Sequence, residues 1–522
     1  MKTPNYLGDF AALTPDKPAV IDAATGERLS YRELDERSNR LAQLLYAQGL
    51  RRGDRIAVLM ENHLRYFEVA WAAFRSGLLL TAVNRFLTAA EVAYIVQDSG
   101  ARAVVSSNAM AEVAAELTDM MPLCERRLMV DGAIASWEPY EQAVTAMPST
   151  RLAEEWVGGT LLYSSGTTGQ PKGIVRAIPR TRFTDDNTLD PRLAMMQHYG
   201  FDADTVYLST APLYHAAPLS YGTNLQFYGG TVVFMRKFDA QEALALIERY
   251  RITHSQWVPT MFIRLLKLPD AERQRHDLSS HRVAIHAAAP CPPEVKCRMI
   301  EWWGPIVQEY YGGSEGNGLT VLDSREALAR PGSVGRAKVG VLRICDDDGN
   351  VLPAGQDGLI YFERETLPFR YHNDPGKTCA AQHPRHPTWT AIGDIGHLDA
   401  DGYLYLTDRR FFMIISGGVN IYPQAIEDAL ALHPSVQDAA VIGVPDPEMG
   451  EAVKAVIEPA PGVAPTPALA EELIGFLRGK VARYMLPRSL DFIDVMPRLP
   501  TGKLYKRALR ERYARPAEEN RA

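Results

Sequence analysis

The sequence has few cysteines, no long hydrophobic run and no excess of basic residues. No two of its five cysteines stand in a Cys-x-x-Cys pair, and they are Cys124, Cys291, Cys297, Cys345 and Cys379. An odd, scattered set argues against disulfides and a thiolate metal site, and favours reduced, mostly buried thiols. No stretch reaches the ~20 consecutive apolar residues that a membrane-spanning helix needs. Because residues 1–10 also contain no signal-peptide core, we expect a soluble, cytoplasmic protein.

Charge and composition exclude further classes of protein. The 56 Lys and Arg residues against 63 Asp and Glu give a net charge of −7. A nucleic-acid-binding surface is therefore disfavoured, because phosphate neutralisation needs an excess of basic residues. With 46% apolar and 23% charged residues, the chain is unlike collagen, a disordered segment or a small disulfide scaffold. A domain usually has about 100–200 residues, so a length of 522 residues predicts at least two folded units.

Strand-like apolar runs alternate with helical patterns over most of the chain. Residues 231–235 are typical of a strand, 243–250 carry apolar residues at helical spacing, and 252–258 are again typical of a strand. Units of this kind build parallel sheets with right-handed crossovers. From about Gly332 the segments become shorter and richer in Gly, Asp and Pro, which predicts antiparallel strands and turns.

The expected fold class is therefore α/β. Residues 1–408 are predicted to form a large N-terminal domain of layered α/β subdomains with a β-rich subdomain. A polar, charged stretch at 407–410 ends it. Residues 409–522 are predicted to form a small α+β C-terminal domain, because they contain helix and strand patterns of their own.

One glycine- and hydroxyl-rich segment, which follows an apolar lead-in at 160–163, has the chemistry of a phosphate loop. Its glycines let backbone N–H groups approach an anion, its hydroxyls donate hydrogen bonds, and its lysine supplies a positive charge. It is not a Walker A loop, since Pro171 stands where that pattern has its second glycine. A polar loop without a ligand is the weaker interpretation. The candidate phosphate-binding residues are Ser164, Ser165, Gly166, Thr167, Thr168, Gly169 and Lys172.

Six further segments accompany this loop in a characteristic order. They are 311–315 (YGGSE), 331–336 (PGSVGR), 389–396 (WTAIGDIG), 408–409 (DR), 415–421 (ISGGVNI) and 499–503 (LPTGK). Together with the loop, they resemble the adenylate-forming superfamily of acyl-CoA synthetases, nonribosomal-peptide adenylation domains and firefly luciferase. The resemblance covers nearly the whole chain, and Ser314 replaces the usual Thr of its motif. It implies an enzyme that uses ATP, Mg²⁺ and coenzyme A.

The resemblance also implies roles for residues that bind the nucleotide. Glu315 and Thr168 would bind Mg²⁺, a hard cation that prefers oxygen ligands. Asp394 would accept hydrogen bonds from the ribose hydroxyls, and Arg409 would be a second ribose or phosphate contact. Tyr311 would stack near adenine. The remaining cofactor-binding residues of this set are Ala288, Ala289, Gly312 and Ser314.

Lys503 is the residue that the resemblance implies for catalysis of adenylation. A cation between the carboxylate and the α-phosphate opposes the repulsion of two anions in the transition state. The small domain would then rotate at a hinge and present Gly417 and Gly418 to the pantetheine channel. The hinge departs from the family pattern, since Phe411 stands where a Lys or Asp is expected. The catalytic residues implied are Lys503, Glu315 and His215.

The acyl pocket implied by the resemblance is lined by 211–218, by 257–262 and by residues near Tyr310 and Asn317. Amino-acid-activating relatives have an Asp where this chain has Ala216, so an α-amino acid would leave its buried ammonium unpaired. His215 would gate the pocket or position the carboxylate, or be a packed structural residue. Small and aromatic residues suggest an apolar pocket with room for more than acetate, and they are Trp257, Phe262, Ala216, Ala217 and Gly222. The hinge sequence resembles that of bacterial fatty-acid and steroid-side-chain CoA ligases, which implies a medium-chain, long-chain or ring-bearing (aromatic or steroid side-chain) acid.

The leading hypothesis is an ATP-dependent acid–CoA ligase, with a homodimer as one assembly that the sequence allows. One alternative is an adenylating enzyme that loads the phosphopantetheine of a carrier protein. The other is a nucleotide-binding regulatory protein without catalysis, against which Lys172, Glu315, Asp394 and Lys503 argue because they are all present.

Overall fold

The computed structural model describes residues 6–164, 171–178, 180–183, 193–409, 412–416, 419–447, 449–498 and 504–513. Within these ranges the chain forms four β-sheets with helices packed on them, which confirms the predicted α/β class. Three sheets belong to the part before residue 410, and the fourth belongs to the part after it. Strands and helices carry numbers in chain order.

The first sheet has nine strands. In spatial order they are β16 (Arg336–Val339), β15 (Leu319–Leu322), β14 (Val307–Tyr311), β13 (Val283–His286), β12 (His254–Trp257), β10 (Val206–Ser209), β11 (Thr231–Phe234), β1 (Pro18–Asp22) and β2 (Arg28–Ser30). The pairings from β1 through β11, β10, β12 and β13 to β14 are parallel. The predicted strands at 231–235 and 252–258 are β11 and β12, so this part of the prediction is confirmed.

The second sheet has eight strands. In spatial order they are β19 (Arg370–Tyr371), β9 (Lys172–Val175), β8 (Gly159–Ser164), β4 (Leu79–Ala82), β3 (Arg55–Leu59), β5 (Ala101–Ser107), β6 (Arg126–Val130) and β7 (Glu138–Pro139). Its pairings from β8 through β4, β3, β5 and β6 to β7 are parallel. The hairpin β8–β9 and the pairing of β9 with β19 are antiparallel.

Two five-stranded sheets complete the fold. The third sheet contains β17 (Val341–Cys345), β18 (Gly358–Glu363), β21 (Asp394–Leu398) and β22 (Leu404–Arg409), with β20 (Trp389–Thr390) on β18. All its pairings are antiparallel, which confirms the prediction for the region after Gly332. The fourth sheet contains β24 (Val419–Ile421), β23 (Ile414–Ser416), β26 (Gly450–Pro459) and β25 (Val436–Asp446), with β27 (Ser489–Phe492) on β26.

Helices cover the faces of these sheets. Those of the first half are α1 (Leu7–Leu13), α2 (Tyr31–Ala47), α3 (Leu64–Arg75), α4 (Ala89–Ser99), α5 (Ala111–Leu117), α6 (Tyr140–Thr145), α7 (Ala194–His198), α8 (Ala216–Leu225) and α9 (Ala240–Arg249). The others are α10 (Pro259–Leu266), α11 (Asp270–Arg273), α12 (Pro293–Trp303), α13 (Ser324–Ala329), α14 (Pro375–Ala380), α15 (Pro423–Ala431), α16 (Pro467–Leu477) and α17 (Lys506–Tyr513). Among the described residues, no helix has the length and apolar character needed to cross a membrane.

The largest hydrophobic core lies between the first two sheets. Val232 of β11 and Ile285 of β13 belong to the same cluster as Val58 of β3 and Leu80 of β4. Helices α2, α3 and α8 contribute side chains to this cluster. The opposite face of the first sheet packs against α9, α10 and α12 in a second core. Successive residues of a strand point to opposite faces, and Trp257 of β12 points into the second core.

The part of the chain after residue 410 has hydrophobic clusters of its own. One cluster joins the fourth sheet to α15 and α16, and a second one joins it to α17. Both consist of residues from 414 onward, among those that the structure describes. A separate core is what a separately folded domain requires. The boundary after residue 408 stays a prediction.

Candidate active site

The loops that follow the parallel strands of the first sheet open at one edge. Residues 210–215 follow β10, residues 287–292 follow β13, and residues 312–318 follow β14. In open α/β sheets, ligands bind in the crevice at the carboxyl ends of parallel strands. His215, Ala288 and Glu315 therefore lie at one edge, although they are far apart in sequence.

The predicted phosphate loop connects β8 and β9 of the second sheet. Ser164 at the end of β8 pairs with Lys172 at the start of β9. The interior of the loop lies outside the described residues, and this applies to Ser165, Gly166, Thr167, Thr168 and Gly169. The structure thus brings the two ends of the loop together, and the roles of its interior stay predictions.

The carboxylate of Glu315 is held by a side chain from a different sheet. The hydroxyl of Tyr371, on β19, donates a hydrogen bond of 3.0 Å to Glu315 Oε1. Glu315 is only 9% exposed. Burial and the neighbouring Glu315 raise the pKa of Tyr371 well above its usual range, so its hydroxyl stays a donor at neutral pH. Lys172 Nζ lies 5.1 Å from the centroid of the Tyr371 ring, at a cation–π distance. Tyr371 thus connects the phosphate-loop lysine to the buried carboxylate.

The surroundings of Glu315 fit a magnesium ion. Proteins bind Mg²⁺ through one or two carboxylates together with phosphate oxygens of the substrate. Glu315 supplies one buried carboxylate, and Tyr371 already orients one of its oxygens. A Cβ on Gly313 would lie 2.9 Å from Glu315 Oε2, so the missing side chain leaves room for that oxygen. Thr168, the other predicted ligand, lies outside the described residues.

The predicted adenine and ribose contacts lie next to each other. The Tyr311 hydroxyl donates a hydrogen bond of 2.7 Å to Asp394 Oδ2, which belongs to the third sheet. The Tyr311 ring stacks on Phe362, with centroids 6.3 Å apart and an interplanar angle of 26°. Arg409 is the backbone partner of Asp394 in the ladder between β21 and β22. The Arg409 side chain lies outside what the structure describes.

Two backbone segments near these residues have restricted geometry. Ala288 has a φ of +78°, in the left-handed region that L-residues rarely adopt. Such a conformation costs about 1–3 kcal/mol and is common at functional sites. Ala288 and Ala289 are both exposed, so their backbone is accessible to a ligand. In the neighbouring loop, the Arg176 guanidinium donates to the Ser314 carbonyl. A Cβ on Gly312 would lie 3.1 Å from a backbone oxygen of the same loop, so this close approach favours glycine.

A buried asparagine fixes the loop that carries His215. The Asn62 amide donates to the Ala211 carbonyl at 3.2 Å and accepts from the Leu213 amide at 2.7 Å. The rings of Tyr214 and His215 lie 4.4 Å apart. Burial raises the pKa of Tyr214 to about 12. His215 directly precedes α8 and is half-buried. Its predicted role as a gate or a carboxylate contact stays a prediction.

Two of the aromatic residues predicted for the acyl pocket lie elsewhere, which corrects that prediction. Trp257 is 1% exposed and packs on Phe262, with ring centroids 6.2 Å apart, and on Trp303 at 5.2 Å. All three belong to, or pack against, the core on the far face of the first sheet. Trp257 points there because strand residues alternate between the two faces. Neither Trp257 nor Phe262 shares a core cluster with the start of α8.

The near face of the first sheet carries tyrosines instead. Ala216, Ala217 and Tyr310 all pack against the core between the first two sheets. Gln256, the neighbour of Trp257 in β12, donates from its amide to the Tyr310 hydroxyl at 3.4 Å. The sequence predicted residues near Tyr310 at the pocket, but it could not show which face of β12 each side chain takes.

Two further residues predicted to lie at the pocket have structural contacts. A Cβ on Gly222 would lie 3.2 Å from the Phe67 ring, so this glycine permits α8 to approach α3 closely and does not widen a pocket. The Asn317 amide donates to the Thr390 carbonyl at 3.3 Å, which attaches the Glu315 loop to β20.

Several predicted residues lie in the C-terminal part of the chain. Gly417, Gly418, Phe411 and Lys503 are outside the described residues, so their roles stay predictions. The strands on either side of the predicted glycine turn, β23 and β24, pair as an antiparallel hairpin.

Comparison with known proteins gives a family for both parts of the chain. The family model described as AMP-binding enzyme matches residues 7–371, and the model of the AMP-binding enzyme C-terminal domain matches residues 425–503. A feruloyl-CoA synthase of Amycolatopsis sp is 33% identical over 510 residues, which cover 96% of this chain and 97% of the relative. The fatty acid–acyl-carrier-protein ligase ScoC of Streptomyces coeruleorubidus is 32% identical over 512 residues, which cover 96% and 94%.

A solved structure supports the same relationship. The anthranilate CoA ligase AuaEII, determined in complex with anthranoyl-AMP, superposes with a TM-score of 0.83. It is 25% identical, and the match covers 98% of each chain. Both parts of the fold are therefore shared with this neighbour.

Proposed function

The chain belongs to the AMP-binding enzyme family and is an AMP-forming acid–thiol ligase, and from this premise we propose that it makes an acyl-CoA thioester from a carboxylic acid, ATP and CoA. In the first step a carboxylate oxygen attacks the α-phosphorus, and the bond to pyrophosphate breaks. In the second step the CoA sulfur attacks the acyl carbon, its proton is lost, and AMP leaves. The resemblance to the adenylate-forming superfamily is thus confirmed, and the site roles below are proposals.

The observation that carries this proposal is that two buried carboxylates, Glu315 and Asp394, each accept a hydrogen bond from a tyrosine of a different sheet region. Glu315 from the first sheet accepts a hydrogen bond from Tyr371 of the second. Tyr311 of the first sheet donates to Asp394 of the third. Each pair has one partner that a nucleotide site needs and a second residue that orients it.

Each of these residues has its own proposed contact with the nucleotide or its metal ion. Lys172 neutralises phosphate charge at the end of the hairpin, and Glu315 provides the carboxylate for Mg²⁺, which supplies charge neutralisation of the phosphates when bound. Asp394 accepts hydrogen bonds from the ribose. The exposed backbone of Ala288 and Ala289 borders the adenine. Lys503 would complete the site from the C-terminal domain, where a cation stabilises charge that develops in the transition state.

The acid is proposed to be a medium-chain, long-chain or ring-bearing carboxylate. Ala216 provides no partner for an ammonium group, which argues against an α-amino acid. The relatives include a ligase that is named for a fatty acid and one that is named for a ring-bearing acid. A cytoplasmic location and a homodimer are parts of the same proposal.

A product analysis tests this function. The purified protein is incubated with ATP, Mg²⁺, CoA and single carboxylates of each class, and the nucleotides and thioesters are quantified. We expect AMP and acyl-CoA in equal amounts with at least one acid. Release of ADP, or no AMP with any acid, would contradict the proposal.

Transfer to a carrier protein is the second candidate function, because one of the relatives is named as an acyl-carrier-protein ligase. The same assay separates the two when CoA is replaced by holo-carrier proteins. Faster thioester formation on a carrier than on CoA would favour this alternative.

A further inference from the structure

A stack of three tyrosines lies between α8 and the first sheet. Tyr221 of α8 stacks on Tyr207 of β10, with centroids 6.2 Å apart and an interplanar angle of 21°. Tyr221 also stacks on Tyr310 of β14, at 6.2 Å and 28°. Tyr199 and Phe201 pack against the same ring, at 6.4 and 6.0 Å. The space beneath the start of α8 is therefore filled by aromatic rings.

Hydrogen bonds hold two of these rings in place. The Tyr207 hydroxyl donates to Gln256 Oε1 at 3.2 Å, and Gln256 Nε2 donates to the Tyr310 hydroxyl at 3.4 Å. Tyr207 is 0% exposed and Tyr221 is 7% exposed. A ring that is packed among several others, or hydrogen-bonded through its hydroxyl, needs a concerted rearrangement to move aside. The stack thus behaves as a rigid wall.

The wall lies close to the start of α8, where the acyl pocket is predicted. Ala217 and Tyr221 are four residues apart on α8, so they share one face and are separated by one turn of about 5.4 Å. Ala216 and Ala217 at the first turn are small and partly buried. In this arrangement, an acyl group that reaches these alanines would meet the tyrosine rings about one helical turn further along α8.

We infer that Tyr221 and Tyr310 form the floor of the acyl pocket and restrict the substrate to compact ring-bearing carboxylates. The inference rests on the proposed function and narrows it, because a long alkyl chain has no path between α8 and the sheet while the stack is closed. A flat ring is favoured over a short alkyl chain, since it buries more apolar surface and can meet the tyrosine rings edge to face.

The test compares acids of different length in one assay. Acid-dependent exchange of radiolabelled pyrophosphate into ATP is measured with acetate, benzoate, cinnamate, octanoate and palmitate. One methylene in an apolar pocket changes kcat/KM by about 10- to 200-fold. We therefore expect benzoate or cinnamate to exceed both acetate and palmitate by at least about tenfold.

Substitutions of Tyr221 provide a second test of the same inference. Tyr221→Ala is expected to raise kcat/KM for octanoate relative to benzoate by about tenfold or more. Because loss of a buried ring can unfold a core, Tyr221→Leu provides a smaller cavity with the same expected direction. Tyr140→Leu is the matched control, since Tyr140 is a buried tyrosine of α6, and its octanoate-to-benzoate ratio is expected to equal that of the wild type.

The outcomes separate the inference from the function on which it rests. Exchange that is best with palmitate or with acetate overturns the inference alone. An unchanged acid preference in folded Tyr221→Ala and Tyr221→Leu overturns it as well. Exchange with no acid overturns the proposed function and the inference together.

Discussion

The nucleotide end and the acyl end of the candidate site are built in different ways. At the nucleotide end, polar side chains from separate sheets meet in hydrogen-bonded pairs, such as Tyr371 with Glu315. At the acyl end, α8 and one face of a single sheet meet through stacked rings, such as Tyr221 with Tyr310. A hydrogen-bonded pair fixes the position of an atom, whereas a ring stack fixes the volume that remains. Under the proposed function, the first arrangement would specify the reaction and the second the size of the acid.

Removal of Lys503 is expected to have the largest effect, because this residue would bridge the two ends. Lys503→Ala should lower the rate of adenylate formation by about 100-fold or more with every acid. Formation of the thioester from supplied acyl-AMP should survive much better. Lys480→Ala, an exposed lysine in the same part of the chain, is the control. Equal loss in both half-reactions would contradict the assignment of Lys503 to adenylation.

Glu315→Gln tests the nucleotide end alone. The substitution keeps the size of the side chain and removes the charge that attracts Mg²⁺, so the Mg²⁺ concentration for half-maximal rate should rise by about 10- to 100-fold. The relative preference among acids should not change. Glu301→Gln, at an exposed position of α12, serves as the control. An unaltered Mg²⁺ dependence would exclude Glu315 as the metal ligand.

Tyr371→Phe tests whether the hydrogen bond to Glu315 positions the carboxylate. Loss of the hydroxyl should weaken apparent Mg²⁺ affinity by about tenfold, as for other residues that orient a metal ligand. Tyr140→Phe is a matched control, because the Tyr140 hydroxyl donates to buried Glu68 at the same distance of 3.0 Å. The two variants should lose similar stability, but only Tyr371→Phe should change the Mg²⁺ dependence. A shift in both variants would argue against a positioning role for Tyr371.

The free energy of unfolding is expected to fall at low pH because of His254 of β12, which lies near the acyl end. Burial lowers the pKa of His254 from 6.5 to about 4, although a hydrogen bond to the Tyr199 carbonyl opposes this shift. Between about pH 4 and pH 6.5, the ring is neutral in the folded protein but protonated in the unfolded chain. The associated stability is complete above about pH 6.5 and is lost as the pH falls towards 4.

A quantitative form of this prediction uses urea unfolding. At pH 5 the loss from His254 should be about 2 kcal/mol relative to pH 7.5. His254→Gln keeps an N–H donor for the Tyr199 carbonyl and removes the titration, so the stability of the variant should fall less between the two pH values. Equal pH dependence in wild type and variant would show that this histidine is not buried in its neutral form.

The sequence allowed the nucleotide end to be predicted better than the acyl end, for a physical reason. The order of polar motifs indicated Glu315 and Asp394; the structure gives each a tyrosine hydrogen-bond partner, and their roles stay predictions. Tyr371 was missed because its contact depends on the pairing of β19 with β9, which no local pattern encodes. Trp257 was assigned wrongly because an aromatic residue in a strand can point to either face of the sheet. Its packing against Trp303 shows that it points to the far face.

The alternation of strands and helices was also readable from the sequence. Apolar periodicity follows from local geometry, so β11, α9 and β12 were located closely. Gly222 illustrates the opposite case. A glycine in a helix has no side chain to show its partner, and its contact with Phe67 emerges only from the packing of α8 on α3.

The most direct test of the central claim is pyrophosphate exchange in the absence of CoA. If an organic acid reacts with ATP before any thiol takes part, purified protein with Mg²⁺ and a ring-bearing carboxylate should incorporate radiolabelled pyrophosphate into ATP, and omission of the acid should abolish the exchange. Exchange that requires CoA, or no exchange across the whole range of acids, would contradict the account.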